Sequence, residues 1–206
     1  RPEILGRLYS CGFEVIDEQF INNNLFFAVK KIRNPFYDYN PTYGPLVKMK
    51  RIGKGGKIIG VYKFRTMHPY SEYLHDYMLK HHGYSKKGKP ANDFRITTWG
   101  KILRRFWLDE LPQLINVVKG EMKLVGVRPI SPRVYNDYPE EVKKLRSKYK
   151  PGCVPPYVAL LMQNMADSIK AEEIYLKDKE KHPYTTDIKY LFKAIYNILT
   201  NKIRSA

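Results

Sequence analysis

The chain has 206 residues, of which 43% are hydrophobic and 14% aromatic, enough to bury the core of one domain. Lys and Arg number 37 against 20 Asp and Glu, and the net charge of +17 predicts an acidic partner: nucleic acid, an anionic lipid surface or a substrate that carries phosphate. No apolar run approaches the roughly 18 to 20 residues of a membrane-spanning helix, so any membrane role of this sequence is predicted to be peripheral.

The first predicted elements form an N-terminal lead-in. The sequence GRLYSCGF favours a short helix, and after a break at Gly12 the sequence EVIDEQFI favours an extended segment. Two β-prone runs follow, Leu46–Ile52 and Lys57–Met67, on either side of the turn sequence GKGG. This arrangement predicts a β-hairpin.

Helices are predicted for the middle of the chain. Ser71 is placed to cap a helix over SEYLHDYMLKHH, and the basic, turn-rich loop GYSKKGKPAND follows it. Thr97 or Thr98 can then cap a short helix that ends near Trp107.

The second half begins with a helix from Asp109 to Gly120, and a short strand follows in MKLVGVRP. Pro139 opens a charged helix, EEVKKLRSKYK, and Asp167 is placed to cap another, SIKAEEIYLKDKEKH. Together the elements predict an α+β fold, in which a small antiparallel hairpin or sheet packs with several short helices and peripheral amphipathic helices lie outside.

A final helix is predicted over residues 187–204. Leu191, Ile195 and Leu199 share one of its faces while Lys and Arg residues add positive charge, a pattern typical of a helix that lies at a membrane interface. A helix that docks on the core of its own domain has the same period and is the simpler interpretation. The sequence leaves both interpretations open.

Two adjacent carboxylates, Asp109 and Glu110, stand at the predicted start of a helix. Their ordinary interpretation is structural, because Asp is a favoured N-cap and both charges complement the helix dipole. Arg104 and Arg105 precede them closely, however, and cations beside a helix N-terminus attract phosphate. In such a place an ionised Asp109 can act as a nucleophile, and Glu110 suits Mg²⁺, a hard cation that prefers oxygen ligands.

Three further clusters carry charge. In VYKFRTM, strand alternation places Lys63 and Arg65 on one side, either as an anion platform or as the solvent face of an edge strand. In GVRP, Arg128 lies between a glycine and a proline that can fix its guanidinium for phosphate, although a lone arginine in a turn is usually just solvated. In DFRITTWG, Asp93 and Arg95 can pair with each other.

The sequence lacks the common metal, redox and nucleotide motifs. Its five histidines show no zinc-ligand spacing, and no Walker A loop, GxGxxG or GxSxG motif is present. Cys11 and Cys153 stand alone without CxxC spacing, which predicts free thiols and no disulfide.

Taken in order, the segments KFRTM, DFRITTWGKILRRFWLDELPQLINVVKGEMKLVGVRP and YKPG resemble the bacterial sugar transferases, the monotopic phosphoglycosyl transferases. The resemblance spans about 44–152. Such enzymes transfer a sugar 1-phosphate from a UDP-sugar to a polyprenyl phosphate and release UMP, which is the first membrane step of glycan assembly. On this basis we divide one compact domain into a lead-in at 1–43, a catalytic core at 44–152 and a C-terminal helical extension at 153–206.

The resemblance also implies roles for the charged residues. Asp109 would attack the phosphorus that bears the sugar and form a covalent phosphosugar-enzyme, which polyprenyl phosphate then attacks. Glu110 would bind the Mg²⁺ cofactor. The residues expected to bind substrate phosphates are Arg104, Arg105, Arg128, Lys63 and Arg65, with Asp93 and Arg95 in support.

Three features depart from the family pattern. The usual re-entrant membrane helix ahead of Gly44 is replaced by the short, polar QFINNNLFFAVKKI. We expect an anchor upstream of Arg1, or docking on anionic lipid through surface helices, at the cytoplasmic face of the bacterial inner membrane. GVRP replaces GPRP, which loosens the turn but keeps Arg128, and PGCVPP replaces PGITG, so that sugar and acceptor preferences do not carry over.

The alternative function is a basic binding module for nucleic acid or anionic lipid without catalysis. The positive charge and 17 tyrosines that can stack on bases favour it. The sequence contains no nucleic-acid fold signature, so we expect no nucleic-acid partner.

Overall fold

Short helices alternate with two-stranded sheets along the chain, and the predicted α+β class is confirmed. The structure is a computed structural model that describes residues 1–36, 43–83, 93–162 and 164–203. It divides into two compact units, the first formed by Arg1–Gly44 with Thr66–Thr98 and the second by Pro45–Arg65 with Trp99–Ala206. The lead-in, core and extension derived from the sequence stay predictions. Most of the predicted basic loop at 83–93 lies outside the described residues, as does Arg204.

The first unit contains a helix followed by a hairpin. Helix α1 (Pro2–Ser10) has a proline in its first turn, where proline is favoured, and it starts before the predicted segment GRLYSCGF. Strands β1 (Phe13–Ile21) and β2 (Asn24–Lys31) pair antiparallel around Asn22 and Asn23, whose φ angles of 48° and 62° suit a tight hairpin turn. The sequence analysis recognised the first of these strands but missed β2.

The central hairpin of the second unit is confirmed. Strands β3 (Leu46–Ile52) and β4 (Ile58–Phe64) pair antiparallel, with Arg51 opposite Ile59 and Val47 opposite Lys63. Paired residues and alternate residues of a strand point to the same side of a sheet. Arg51 and Lys63 therefore share one face of the hairpin.

The helices follow the predicted order, but two predicted caps are wrong. Helix α2 (His75–His82) follows a 3₁₀ turn at Ser71–Leu74, and Ser71 lies inside that turn and does not cap it. Helix α8 (Met165–Lys181) is capped by Asn164, whose side chain accepts the N–H of Asp167 at 2.8 Å, so Asp167 lies in the first turn. The remaining α-helices are α3 (Thr98–Arg105), α4 (Leu114–Val118), α5 (Pro132–Asn136), α6 (Glu140–Ser147), α7 (Pro156–Leu160) and α9 (Thr185–Leu199).

A short parallel pair connects the middle of the second unit to its C-terminal part. Strand β5 (Lys123–Val125) was predicted, whereas its partner β6 (Gly152–Val154) lies in PGCVPP, for which no strand was predicted. A Cβ atom on Gly152 would overlap the backbone of Gly126, so the two chains approach this closely only because glycine occupies the position. The glycines of GVRP and YKPG thus meet in space.

The C-terminal helices supply most of the core of the second unit. Val158 of α7, Leu176 of α8 and Ala194 of α9 are fully buried in one apolar cluster. Helix α9 therefore docks on its own unit, as the simpler interpretation held, while Phe192 and Leu199 remain exposed on another of its faces. Every helix in the described part of the chain is too short or too polar to span a bilayer.

A buried amide, Asn116 of α4, joins the helical segment to β4. Its Oδ1 accepts the N–H of Tyr62 at 3.0 Å, and its Nδ2 donates to the carbonyl of Gly60 at 2.8 Å and to the carboxylate of Glu121 at 2.7 Å. Backbone groups in β4 thus find their partners in a side chain from another element. Asn116 thus helps to hold β4, which also pairs with β3, against the helical segment.

We expect Asn116→Ala to lower the free energy of unfolding by about 1–3 kcal/mol, because it leaves a half-buried N–H and a half-buried carbonyl without their partner. Urea denaturation measures the change. Asn136→Ala, at an exposed position at the end of α5, is the matched control and should stay within about 0.5 kcal/mol of wild type. Equal effects of the two substitutions would contradict this role for Asn116.

Candidate active site

An open cleft with about 370 Å³ of empty space lies in the second unit. Its walls come from β3, β4, the 3₁₀ helix Leu108–Gln113, the segment after β5, and β6 with the start of α7. It brings together cations and a carboxylate from distant parts of the sequence. The lining residues are Arg51, Lys63, Trp107, Glu110, Gln113, Arg128, Pro129, Cys153, Pro155 and Tyr157.

The acidic pair lies inside a 3₁₀ helix and not at its cap. Trp107 adopts a left-handed conformation with φ 60°, and its carbonyl accepts the N–H of Glu110 at 3.2 Å. The predicted role of Asp109 as a helix N-cap is therefore wrong, because the left-handed turn starts the helix two residues earlier. Asp109 is only 3% exposed, whereas Glu110 lines the cleft.

Glu110 is held from two sides. Lys63, near the end of β4, contacts its Oε1 at 2.5 Å, and the amide of Gln113 donates to its Oε2. Charge-assisted hydrogen bonds of this kind are the stronger ones in proteins. Lys63 was predicted as a phosphate ligand, and the structure pairs it with Glu110 inside the cleft. Its role in phosphate binding stays a prediction.

Two arginines complete the positive wall of the cleft. The guanidinium of Arg128 lies 5.3 Å from the ring centroid of Tyr157. Burial, together with the positive charge of Arg128, lowers the pKa of the Arg51 guanidinium, while the charge of Glu110 opposes this shift. Arg51 and Arg128 thus lie within electrostatic range of each other and of the carboxylate. Such a group of cations suits a ligand with several phosphate oxygens.

The sequence analysis missed Arg51. A signal for it was available, because counting alternate residues around the β3–β4 hairpin places Arg51 on the same face as Lys63. Tyr157 and Cys153 were not predicted as cleft residues for a different reason, since no strand was predicted in PGCVPP that would bring this segment to the cleft.

The two cleft residues from this segment, Cys153 and Tyr157, both have a raised pKa. Burial raises the pKa of the Cys153 thiol to about 11, and the charge of Glu110 adds to the rise. Burial also raises the pKa of Tyr157; Arg128 opposes this shift, and the charges of Glu110 and Asp109 add to it. Cys153 is therefore a neutral thiol near pH 7 and not a nucleophile.

Three predicted phosphate ligands lie elsewhere. The backbone N–H of Arg65 donates to Pro45, and the exposed Arg105 has its guanidinium 5.5 Å from the ring centroid of Phe106. Neither of these residues, nor the half-buried Arg104, is among the residues that line the cleft. Their roles in phosphate binding stay predictions.

The predicted pair of Asp93 and Arg95 is confirmed in the first unit. The guanidinium donates to both carboxylate oxygens, at 2.8 and 2.7 Å, and both side chains are nearly buried. Arg95 also donates to the carbonyl of Ser71 at 3.4 Å. The pair joins two segments of that unit, and a supporting role in catalysis stays a prediction.

Oxygen donors that suit Mg²⁺ are present at the acidic pair. Besides the two carboxylates, Gln113 offers a buried Oε1 for which the described residues provide no hydrogen-bond partner. No group of three or more His, Cys, Asp or Glu side chains comes together in the described ranges. Mg²⁺ commonly needs only one or two carboxylates, with water and substrate phosphates as its other ligands. The donor set fits such an ion.

Comparison with known proteins identifies the family. The model of the bacterial sugar transferase family matches residues 39–201, well over half of the chain. The chain therefore belongs to the bacterial sugar transferase family. The match extends beyond the resemblance at 44–152 on both sides, and it includes the C-terminal helices that form the core of the second unit.

Several characterised or named relatives are similar over part of their length. The galactosyl transferase CpsE of Streptococcus agalactiae is 32% identical over 158 residues, which is 76% of this chain and 35% of that protein. The undecaprenyl-phosphate galactose phosphotransferase of Salmonella typhimurium is 45% identical over 86 residues, 39% of this chain and 18% of the relative. The UDP-glucose:undecaprenyl-phosphate glucose-1-phosphate transferase of Xanthomonas campestris is 37% identical over 112 residues, which is 53% of this chain and 21% of that protein. The chain spans about a third or less of the length of these relatives.

Proposed function

We propose that this chain transfers a sugar 1-phosphate from a UDP-sugar to a polyprenyl phosphate and releases UMP. The observation that carries the proposal is the cleft, where Lys63, Arg51 and Arg128 surround Glu110 beside the buried Asp109. The names of the relatives support the same reaction class, since they include transferases that act with undecaprenyl phosphate. A UDP-sugar brings a diphosphate with two negative charges, which the guanidinium groups of Arg51 and Arg128 can neutralise.

The proposed reaction has two displacements at phosphorus. A carboxylate oxygen of Asp109 attacks the phosphorus that bears the sugar, and the bond from that phosphorus to the oxygen of the UMP phosphate breaks, so that UMP leaves with the electron pair. An oxygen of polyprenyl phosphate then attacks the same phosphorus, and the bond to Asp109 breaks. The products are the polyprenyl diphosphate sugar and the regenerated carboxylate.

The chain's own residues prepare both steps. Arg51 and Arg128 neutralise and orient the diphosphate, and Lys63 with Gln113 fixes the carboxylate of Glu110. Mg²⁺ bound by Glu110 would supply further positive charge to the phosphates when present. The 3% exposure of Asp109 limits access of bulk water, which would otherwise hydrolyse a phosphosugar-aspartate.

We expect the intact chain to gain the mass of one phosphosugar when it is incubated with Mg²⁺ and the correct member of a panel of UDP-sugars without acceptor. Asp109→Asn should remove this adduct and lower UMP release on the order of a thousandfold or more, because the nucleophile is lost. Intact-mass spectrometry and a UMP assay measure both.

The control for this experiment is Asp137→Asn, at an exposed position outside the cleft, which should keep the adduct and the activity. An adduct that persists in Asp109→Asn would contradict the role of Asp109. Absence of UMP release from every UDP-sugar, with polyprenyl phosphate added, would contradict the proposed reaction.

We further propose that the second unit binds the anionic cytoplasmic face of the bacterial inner membrane through α3, the following 3₁₀ helix and α4. Trp99, Phe106 and Val118 in this stretch are 75%, 52% and 89% exposed, an unusual state for large apolar side chains. Basic residues such as Lys101 and Arg105 lie in the same stretch, and the whole chain carries a charge of +17. Exposed apolar side chains with neighbouring cations are typical of helices that lie in the interface of anionic lipid.

Substituting Trp99, Phe106 and Val118 together by serine should weaken binding to anionic vesicles at least about tenfold, since it removes apolar area that would enter the lipid. Vesicle sedimentation measures the effect. A matched control replaces Phe20 and Phe26, two exposed phenylalanines of the β1–β2 hairpin, by serine and should bind as wild type does. Unchanged binding of the triple variant, or loss of binding in the control alone, would contradict the assignment of this surface.

A further inference from the structure

The backbone of Arg128 is held on both sides by side chains from distant helices. Glu172 of α8 accepts the N–H of Arg128 on its Oε1 at 2.9 Å, and Arg146 of α6 donates to the carbonyl of Arg128 at 2.6 Å. The two side chains also face each other, with Arg146 Nη1 3.6 Å from Glu172 Oε2. The peptide groups on either side of one cleft residue are thus bound by an ion pair.

This ion pair is deeply buried. Arg146 is 3% exposed and Glu172 is 1% exposed. Arg146 also lies against the ring of Tyr138, with its guanidinium carbon 4.8 Å from the ring centroid. Nη1 and Oε2 are too far apart for a hydrogen bond and find no other partner among the described residues. A buried pair with this geometry contributes little to stability, since desolvation of both charges opposes their attraction.

The position of Arg128 explains what the pair does. The hydrogen bonds of the β5–β6 region end just before it, with the N–H of Gly152 donating to Val127 at 3.0 Å. Beyond that point the chain turns into Pro129, and the Arg128 guanidinium lies over Tyr157 in the cleft. The backbone hydrogen bonds between the two segments end before Arg128. The side chains of Arg146 and Glu172 bind the backbone of Arg128 instead.

We propose that Arg146 and Glu172 are positioning residues, which hold the backbone of Arg128 so that its guanidinium binds a phosphate group in the cleft. The proposal rests on the proposed function, because it assigns Arg128 a substrate phosphate as its ligand. It gives the C-terminal helices a part in substrate binding, although Glu172 itself does not touch the substrate.

The test compares double variants that lack both buried charges. Arg146→Met with Glu172→Met removes both contacts to Arg128, whereas Arg146→Met with Glu172→Gln restores an oxygen that can accept its N–H. Lys148→Met with Glu180→Met is the control, because this exposed pair also joins the end of α6 to α8 but does not contact Arg128. Thermal unfolding establishes that each protein is folded.

Calorimetric titration with pyrophosphate, and kcat and KM for UMP release, then measure the consequence. We expect the Met/Met variant to lose roughly 10- to 100-fold in pyrophosphate affinity and in kcat/KM, with the Met/Gln variant recovering part of both and the control unchanged. A Met/Met variant that is folded and binds pyrophosphate like wild type would overturn the proposal, as would a Met/Gln variant no better than Met/Met.

A milder substitution covers the case in which the double variants do not fold. Arg146→Lys keeps the positive charge but cannot reach both Glu172 and the Arg128 carbonyl with a planar fork, so it should also weaken pyrophosphate binding. Wild-type affinity in Arg146→Lys would overturn the proposal. If wild type binds pyrophosphate but releases UMP from no UDP-sugar, the proposed function fails while the titrations still decide the positioning role. If wild type binds no pyrophosphate, Arg128 is not a phosphate ligand and the positioning proposal fails.

Discussion

The buried side chain of Asn116 is the contact on which the arrangement of the cleft depends. Lys63 belongs to a hairpin strand and Glu110 to a 3₁₀ helix almost fifty residues later, so the two side chains meet only where tertiary contacts bring these elements together. Asn116 supplies such a contact, because it accepts the N–H of Tyr62 and donates to the carbonyl of Gly60. The ion pair of Lys63 and Glu110 forms between the two elements that this structural amide joins. The same register brings Arg51 to the face that Lys63 occupies.

The other wall of the cleft depends on the C-terminal helices. They bury the apolar cluster of the second unit, and they supply Tyr157, on whose ring Arg128 lies, as well as Glu172, which binds the Arg128 backbone. The tail that follows the acidic motif is thus part of the unit that contains the cleft. This agrees with a family match that continues to residue 201.

Local patterns in the sequence predicted the elements that depend on local physics. The β3–β4 hairpin follows from two β-prone runs around a glycine turn, and the acidic pair was located correctly on a helical segment. The N-cap at Asp109 was wrong, because the left-handed conformation of Trp107 is set by the surrounding fold and has no local signal. Strand β6 and the pair of Arg146 and Glu172 could not be predicted either, since both exist only through contacts between distant segments. The position of Arg51 beside Lys63 could have been predicted, by counting alternate residues around the β3–β4 hairpin.

In the proposed reaction the carboxylate of Asp109, which lies beside the cleft residue Glu110, displaces UMP from the donor and forms a covalent phosphosugar. Isotope exchange tests it most directly: labelled UMP is incubated with the chain, Mg²⁺ and the active UDP-sugar, with polyprenyl phosphate left out. A covalent intermediate at Asp109 predicts that label enters the UDP-sugar without acceptor and that Asp109→Asn abolishes the exchange. Full transfer in the presence of acceptor, with no exchange in its absence, would contradict the account, because it would mean that the acceptor attacks the donor directly.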